Sequence, residues 1–155
     1  MTTEQLKEVY LDQKMSFVKK DKLIDRTIDL AKYINTSQIV VITGVRRSGK
    51  SSLLYLISKK MGLKEKDYCY LNLDDERIPQ DLSVFEEIYS LHRRMYQNEP
   101  VFFFDEVQNI KGWERFVNRL YEKGAKVFVT GSNATYWNEK RKVKNEKWQQ
   151  AKGER

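Results

Sequence analysis

Ile39-Val40-Val41-Ile42-Thr43-Gly44-Val45-Arg46-Arg47-Ser48-Gly49-Lys50-Ser51 is the stretch on which the fold turns. Its first five residues are β-branched without interruption, a short run apolar on both faces. That is the pattern of a strand buried on both sides of a parallel sheet. From Gly44 onward the chain fits G-x-x-x-x-G-K-[ST] at every fixed position. The two glycines let the backbone curl so that several N–H groups face one anion. A helix predicted over 50–61 begins where the motif ends, and its first amides and dipole favour negative charge. Gly44, Val45, Arg46, Arg47, Ser48, Gly49, Lys50, Ser51 and Ser52 are therefore expected to form a phosphate-binding loop. Lys50 would reach the β- and γ-phosphates, and the Ser51 hydroxyl would coordinate Mg²⁺. Arg46 and Arg47 read equally as phosphate contacts, contacts to a neighbouring subunit, or solvated charges.

Outward from this stretch, short apolar runs alternate with helical patterns. Leu23, Thr27, Leu30 and Ile34 recur at three- and four-residue spacing, which predicts an amphipathic helix with Asp21 as its cap. An earlier helix is expected over 4–18. Gly62 is the expected stop of the helix that follows the loop. A second strand is predicted over 68–73, a helix over 82–96, a third strand at 101–104 after Pro100, a helix around Trp113–Leu120, and a fourth strand over 126–130. A helix followed by repeated strand–helix units argues an α/β three-layer sandwich, a parallel sheet with helices on both faces.

Phe102-Phe103-Phe104-Asp105-Glu106 is an apolar strand ending in two acids. Ligands of open parallel sheets bind at the carboxyl ends of strands, where these acids fall. Asp105 is the candidate to hold Mg²⁺, and Glu106 to orient and deprotonate the water that attacks a γ-phosphate. At the fourth strand's end, Thr130, Ser132 or Asn133 would bond the γ-phosphate or that water, or simply build a turn. Asp74, Asp75, Glu76 and Arg77 follow the second strand, on the metal side by the same rule.

The composition removes other classes. The chain has 155 residues, 40% hydrophobic and 33% charged, which suits one globular domain. No apolar run approaches a bilayer span, and Met1–Gln5 lacks the layout of a secretory signal. A lone cysteine, Cys69, gives no internal disulfide, and a cytoplasmic location is expected. The net charge is +7, but residues 139–155 carry seven Lys/Arg against three acids, so nucleic-acid binding is not favoured. The guanine-reading Asn-Lys-x-Asp signature is absent. His92, the only histidine, is expected to be a partly exposed structural residue, and Arg115 and Arg119, four apart on one helix face, are candidates for an arginine acting on a neighbouring subunit.

Taken together, Thr43–Ser51, Leu71-Asn72-Leu73-Asp74-Asp75-Glu76-Arg77, Phe104-Asp105-Glu106-Val107-Gln108 and Thr130-Gly131-Ser132-Asn133 resemble the prokaryotic AAA-superfamily P-loop ATPases that usually carry a nuclease-like C-terminal domain. The resemblance covers about residues 20–135. It implies a P-loop NTPase fold of AAA type with ATP and Mg²⁺ as cofactors. It also implies Asp105 and Glu106 as the metal-binding and catalytic acids, and sensor duty near Ser132-Asn133. Lys50, Glu106 and Asn133 are then the candidate catalytic set, and Ser51 and Asp105 the candidate metal ligands. Three segments are expected: an N-terminal helical extension over 1–20, the ATPase core over 21–135 and a basic tail over 136–155. The sequence after the fourth strand departs from the family. The fifth strand, the helical lid and the arginine placed to reach a neighbour's γ-phosphate are expected to be missing. The first strand would then be an edge, covered by a second copy or another protein. The expected function is ATP binding with Mg²⁺-dependent hydrolysis that is weak or partner-dependent, the alternative being a nucleotide-binding switch without turnover.

Overall fold

The computed structural model describes residues 1–20 and 29–132. Asp21, Leu23, Thr27, Asn133, Trp137, Trp148 and the basic tail lie outside the described residues. The elements run α1 (Thr3–Val18), α2 (Ala31–Asn35), β1 (Val40–Thr43), α3 (Lys50–Lys60), β2 (Tyr68–Asn72), α4 (Ser83–Tyr96), β3 (Val101–Asp105), α5 (Trp113–Glu122) and β4 (Val127–Gly131), with short 3-10 turns at Glu65–Asp67 and Val107–Asn109.

All strand pairs are parallel, in the order β1-β4-β3-β2. Side chains of successive strand residues point to opposite faces, so each strand feeds two cores. Val41, Cys69, Leu71, Phe102, Phe104, Val127 and Val129 face α4 and α5. Val40, Ile42, Tyr68, Tyr70, Phe103 and Phe128 face α3. Three layers result, as the alternation of strand and helix patterns predicts. Among the described residues β1 has β4 on one side and no strand on the other.

The helices stop and start for local reasons. Gly62, at φ +67°, follows the last turn of α3, where Leu63 N–H reaches Ser58 O at 3.1 Å and Gly62 N–H reaches Lys59 O at 2.9 Å. This left-handed closure satisfies carbonyls that the helix leaves orphaned. The helix predicted from Asp21 through Ile34 is shorter where it is described. The Asp29 carboxylate accepts the Ala31 N–H at 3.0 Å, and α2 begins there, with Leu30 buried just before it.

α1 opens on a reciprocal cap: the Thr2 hydroxyl accepts the Gln5 N–H at 3.2 Å, and Gln5 Oε1 accepts the Thr2 N–H at 2.8 Å. It buries Leu6, Val9, Tyr10, Gln13, Lys14 and Phe17 against the β2 side of the sheet. Gln13 acts there as a piece of strand. Its Oε1 accepts the Asn72 N–H at 2.8 Å and its Nε2 donates to Asn72 O at 3.1 Å, which closes a sheet edge otherwise open to pairing. Lys14 donates to Tyr68 O at 2.9 Å and to Glu65 O, with its ammonium over the Tyr68 and Tyr96 rings. Burial lowers its pKa to about 8.

Phe17 stacks on Tyr70 with ring centres 4.1 Å apart and meets Tyr55 edge-on at 5.3 Å. Phe17→Ala is expected to lower unfolding free energy by about 3–5 kcal/mol in urea titrations, because an aromatic cavity opens in a core that has few ways to collapse. A loss under about 1 kcal/mol would show that α1 is not part of the cooperative fold.

Candidate functional site

The chain leaves β1, crosses to the far edge at β2 and returns through β3 and β4. α3 therefore covers one face, while α4 and α5 cover the other. Connections from β1 and β3, the strands that flank β4, leave their carboxyl ends on opposite faces, through α3 and α5, and between them Thr43 lies beside Gly131. That divergence opens the crevice in which α/β sheets take ligands.

The loop from Gly44 to Gly49 sits at this crevice. Ser48 N–H closes a turn on Val45 O at 3.2 Å, and the backbone turns left-handed at Arg47 (φ 61°) and Gly49 (φ 87°). A Cβ on Gly44 would stand 2.9 Å from Ser48 Oγ, and Ser48 Oγ itself is buried with no hydrogen-bond partner. Gly49 occupies the cap of α3 and supplies no capping side chain. The first-turn amides of α3 thus meet no side-chain acceptor from the cap, the arrangement that suits an anion.

Lys50 is 3% exposed. Its ammonium donates to Val45 O at 2.9 Å and Gly44 O at 3.3 Å, and lies 3.4 Å from Glu106 Oε1. The sequence-predicted loop lysine and the sequence-predicted water-activating acid, 56 positions apart, are thus brought together.

Asp105 is buried at 1% exposure and held by hydroxyls. Tyr70 donates to its Oδ2 at 3.1 Å, and Thr130 donates to its Oδ1. Burial first, then the Asp105 charge, pushes the Tyr70 hydroxyl well up, so it stays a protonated donor. Thr130 Oγ1 also accepts the Glu106 N–H at 3.0 Å. Its hydroxyl therefore anchors both acids; it is fully buried and does not stand ready for a phosphate. Glu106 takes a left-handed backbone (φ 56°), uncommon for a residue with a Cβ and frequent where geometry serves a site. Lys20, just past α1, is partly buried; desolvation lowers its pKa while the Asp105 charge acts in the other direction.

The acids after β2 divide between two tasks. Asp74 pairs with Arg46 of the loop at 2.7 Å and accepts from Asn109 Nδ2 at 3.2 Å. Asp75 pairs with Arg77 at 2.8 Å, and Arg77 also grips Asp12 of α1 at 2.8 Å. The Arg77 guanidinium holds the Asp75 carboxyl down at about 2. Asp75 thus ties the segment after β2 to α1, and Asp74 reaches the Gly44–Gly49 loop. Of the two arginine candidates, Arg119 pairs with Glu86 and lies over the Phe116 ring.

His92 corrects the expectation of a partly exposed residue: it is fully buried. Its Nδ1 lies 2.9 Å from the Tyr10 hydroxyl and its Nε2 3.1 Å from Asn98 Oδ1, so the neutral ring accepts from tyrosine and donates to asparagine. Burial, then the nearby Lys14 charge, pushes it down from 6.5 to about 4. The unfolded chain takes up this proton near pH 6.5 and the folded chain only near 4. Stability from this group is therefore complete above pH 6.5 and lost as pH falls towards 4, by about 3 kcal/mol. Urea midpoints of wild type and His92→Gln across that window check it; equal slopes would remove His92 as the cause.

Two site residues have no role assigned by the sequence, although Gln108 stands in one of the stretches that carry the resemblance. Tyr70 follows from strand alternation, since Tyr68 and Tyr70 share a face with the second core. Gln108 donates from Nε2 to Glu106 Oε2 at 2.6 Å and to Ser132 Oγ at 2.9 Å. Its signal is a polar residue two past the acid, in a turn too short to carry it away. Asn133, the third predicted catalytic residue, lies outside the described residues.

The chain is 37% identical over 128 residues to an uncharacterized protein of Methanocaldococcus jannaschii, covering 82% of this chain and 28% of that protein. It is 34% identical over 113 residues to an uncharacterized protein of Haemophilus influenzae, covering 68% of this chain and 28% of that protein. The chain thus spans under a third of the length of the curated relatives it matches. Among solved structures it is similar to the replication initiator DnaA bound to AMPPCP and single-stranded DNA (TM-score 0.45, 19% identity, 84% of this chain and 40% of that one). It is also similar to C. elegans PCH-2 (TM-score 0.39, 16% identity, 85% and 39%). No described helix is long and apolar enough to cross a membrane. A family model described as AAA domain matches residues 36–148, from the turn before β1 to beyond β4. The chain belongs to this AAA family, and at the level of the family it is a P-loop domain that binds nucleotide.

Proposed function

We propose that this chain binds ATP with Mg²⁺ in the Gly44–Ser52 loop and hydrolyses it, slowly alone or at a rate set by a partner. The observation that carries the reading is Lys50. One buried ammonium touches two loop carbonyls and the acid at the end of β3. A triphosphate seated on the α3 amides would meet Lys50 at its β- and γ-phosphates, with Glu106 facing the water side.

The residues present fit the nucleotide. Gly44 leaves room that a Cβ would fill, and the orphaned Ser48 hydroxyl awaits an acceptor. They fit the metal as well. Asp105 and the Ser51 hydroxyl would hold Mg²⁺, a cation that is ordinarily bound by one or two carboxylates together with substrate phosphates and water. When bound, it would neutralise charge on the phosphate oxygens. Among the described residues no three His, Cys, Asp or Glu cluster to hold a metal by themselves, so phosphate and water would complete its shell.

The chain's own residues then have distinct tasks. Loop amides bind the phosphates, and Lys50 draws charge towards itself. Thr130 and Tyr70 keep Asp105 oriented, and Glu106 accepts the proton of the attacking water. The slow or partner-dependent rate follows from the resemblance, which assigns part of the transition-state charge to an arginine reaching a neighbour's phosphate; Arg119 is engaged by Glu86 within this chain. The test is calorimetric titration with ATP–Mg²⁺ beside a phosphate-release assay. Binding with turnover supports the reading. Binding without turnover reduces it to a nucleotide switch, and no heat with a folded sample ends it.

A further inference from the structure

Each oxygen of the Glu106 carboxylate has its own partner: Oε1 lies 3.4 Å from Lys50 Nζ, and Oε2 accepts from Gln108 Nε2 at 2.6 Å. The first partner belongs to the phosphate loop. The second arises because the backbone turns left-handed at Glu106 and enters the 3-10 turn Val107–Asn109, which returns the Gln108 side chain over the acid. The same Nε2 donates to Ser132 Oγ at 2.9 Å, just past the end of β4. An amide nitrogen has two hydrogens, and here each has one acceptor. Reversing the amide would set its carbonyl oxygen against a carboxylate oxygen at that distance, so the orientation is imposed by chemistry.

The other end of the amide is equally informative. Gln108 Oε1 is buried and has no hydrogen-bond partner. An orphaned acceptor is a cost that a leucine of similar shape would avoid while filling the same space. A glutamine kept there is explained by what its nitrogen does.

We propose that Gln108 is a positioning residue for Glu106: one amide hydrogen fixes the carboxylate that receives the water's proton, and the other ties it to Ser132. The inference rests on the ATP-hydrolysis reading above. Glutamate has three rotatable bonds, and holding it from both oxygens removes the freedom that would otherwise blur the angle of attack. Ser132 accepts from Gln108 and so keeps its own proton for another acceptor. A phosphate oxygen or water bound there would thereby be linked through Gln108 to the acid.

The experiment compares wild type, Glu106→Gln, Gln108→Leu and Gln108→Glu for melting temperature, ATP–Mg²⁺ affinity by titration, and phosphate release in single-turnover and steady-state assays. Gln108→Leu is expected to lower kcat at least tenfold while affinity stays within twofold and the melting temperature is unchanged or raised. Gln108→Glu, which sets a second carboxylate beside the first, is expected to lose at least as much; it carries the test if the leucine variant does not fold. Wild-type kcat in Gln108→Leu overturns the proposal. So does a joint fall of kcat, affinity and melting temperature, which marks a packing role only. A wild type that binds ATP but releases no phosphate above the Glu106→Gln background takes down the hydrolysis reading first, and the role of Gln108 with it.

Discussion

Lys50→Ala is expected to remove measurable ATP–Mg²⁺ binding in calorimetric titration, an affinity loss of at least a hundredfold, or about 3 kcal/mol. The size follows from what the ammonium does. It is almost fully buried and bonded to Gly44 O and Val45 O, with Glu106 Oε1 close by. Removing it leaves two inward carbonyls without a donor and a carboxylate without a counter-charge. All three then present negative potential to an incoming phosphate, and truncating one partner of a buried pair is costly for this reason. The fold should persist, because α3 is anchored through Leu53, Leu54 and Ile57 in the core beneath it. A melting curve must accompany the titration. Heat equal to wild type from a folded Lys50→Ala sample would dismiss the loop as the nucleotide site.

The second large effect is expected at Glu106. Glu106→Gln keeps the shape of the side chain but no longer accepts a proton at neutral pH. Positioned acid–base groups contribute roughly 10²–10⁴ in rate. Phosphate release should therefore fall at least a hundredfold, while ATP affinity is retained or tightened, because one negative charge leaves the vicinity of the phosphates. Undiminished release from this variant would mean that Glu106 is not the proton acceptor. The two variants separate two functions of one ion pair: Lys50→Ala should lose binding, whereas Glu106→Gln should lose only turnover.

How far the sequence disclosed this arrangement depended on the kind of information each element carries. β1 was legible because five β-branched residues stand together. α4 and α5 were legible because apolar residues recur at helical spacing, and their buried sets, Val84, Phe85, Ile88 and Leu91, then Trp113, Phe116, Val117 and Leu120, follow that spacing. α1 has the same spacing of buried positions, but Gln13 and Lys14 fill two of them. A stripe interrupted by polar residues looks weak until the groups they satisfy, on β2 and the turn before it, are in place. The burial of His92 is hidden in the sequence for a related reason. A polar residue on an inward helix face is affordable only with partners, and its tyrosine is 82 positions away.

The loop and the acid pair were readable because their chemistry is local: glycines at a fixed interval, a helix start, a strand end. Their mutual geometry was not. Lys50 meets Glu106 and Gln108 meets Ser132 only when β4 lies between β1 and β3, and Tyr70 meets Asp105 only when β2 lies beside β3. Burial of apolar area is non-directional, so the pattern along the chain suffices to decide which faces go inward. Hydrogen bonds and ion pairs act over a few ångströms and at set angles. Which polar groups find one another, and hence which amide holds the Glu106 carboxylate, was decided by the order and register of the sheet.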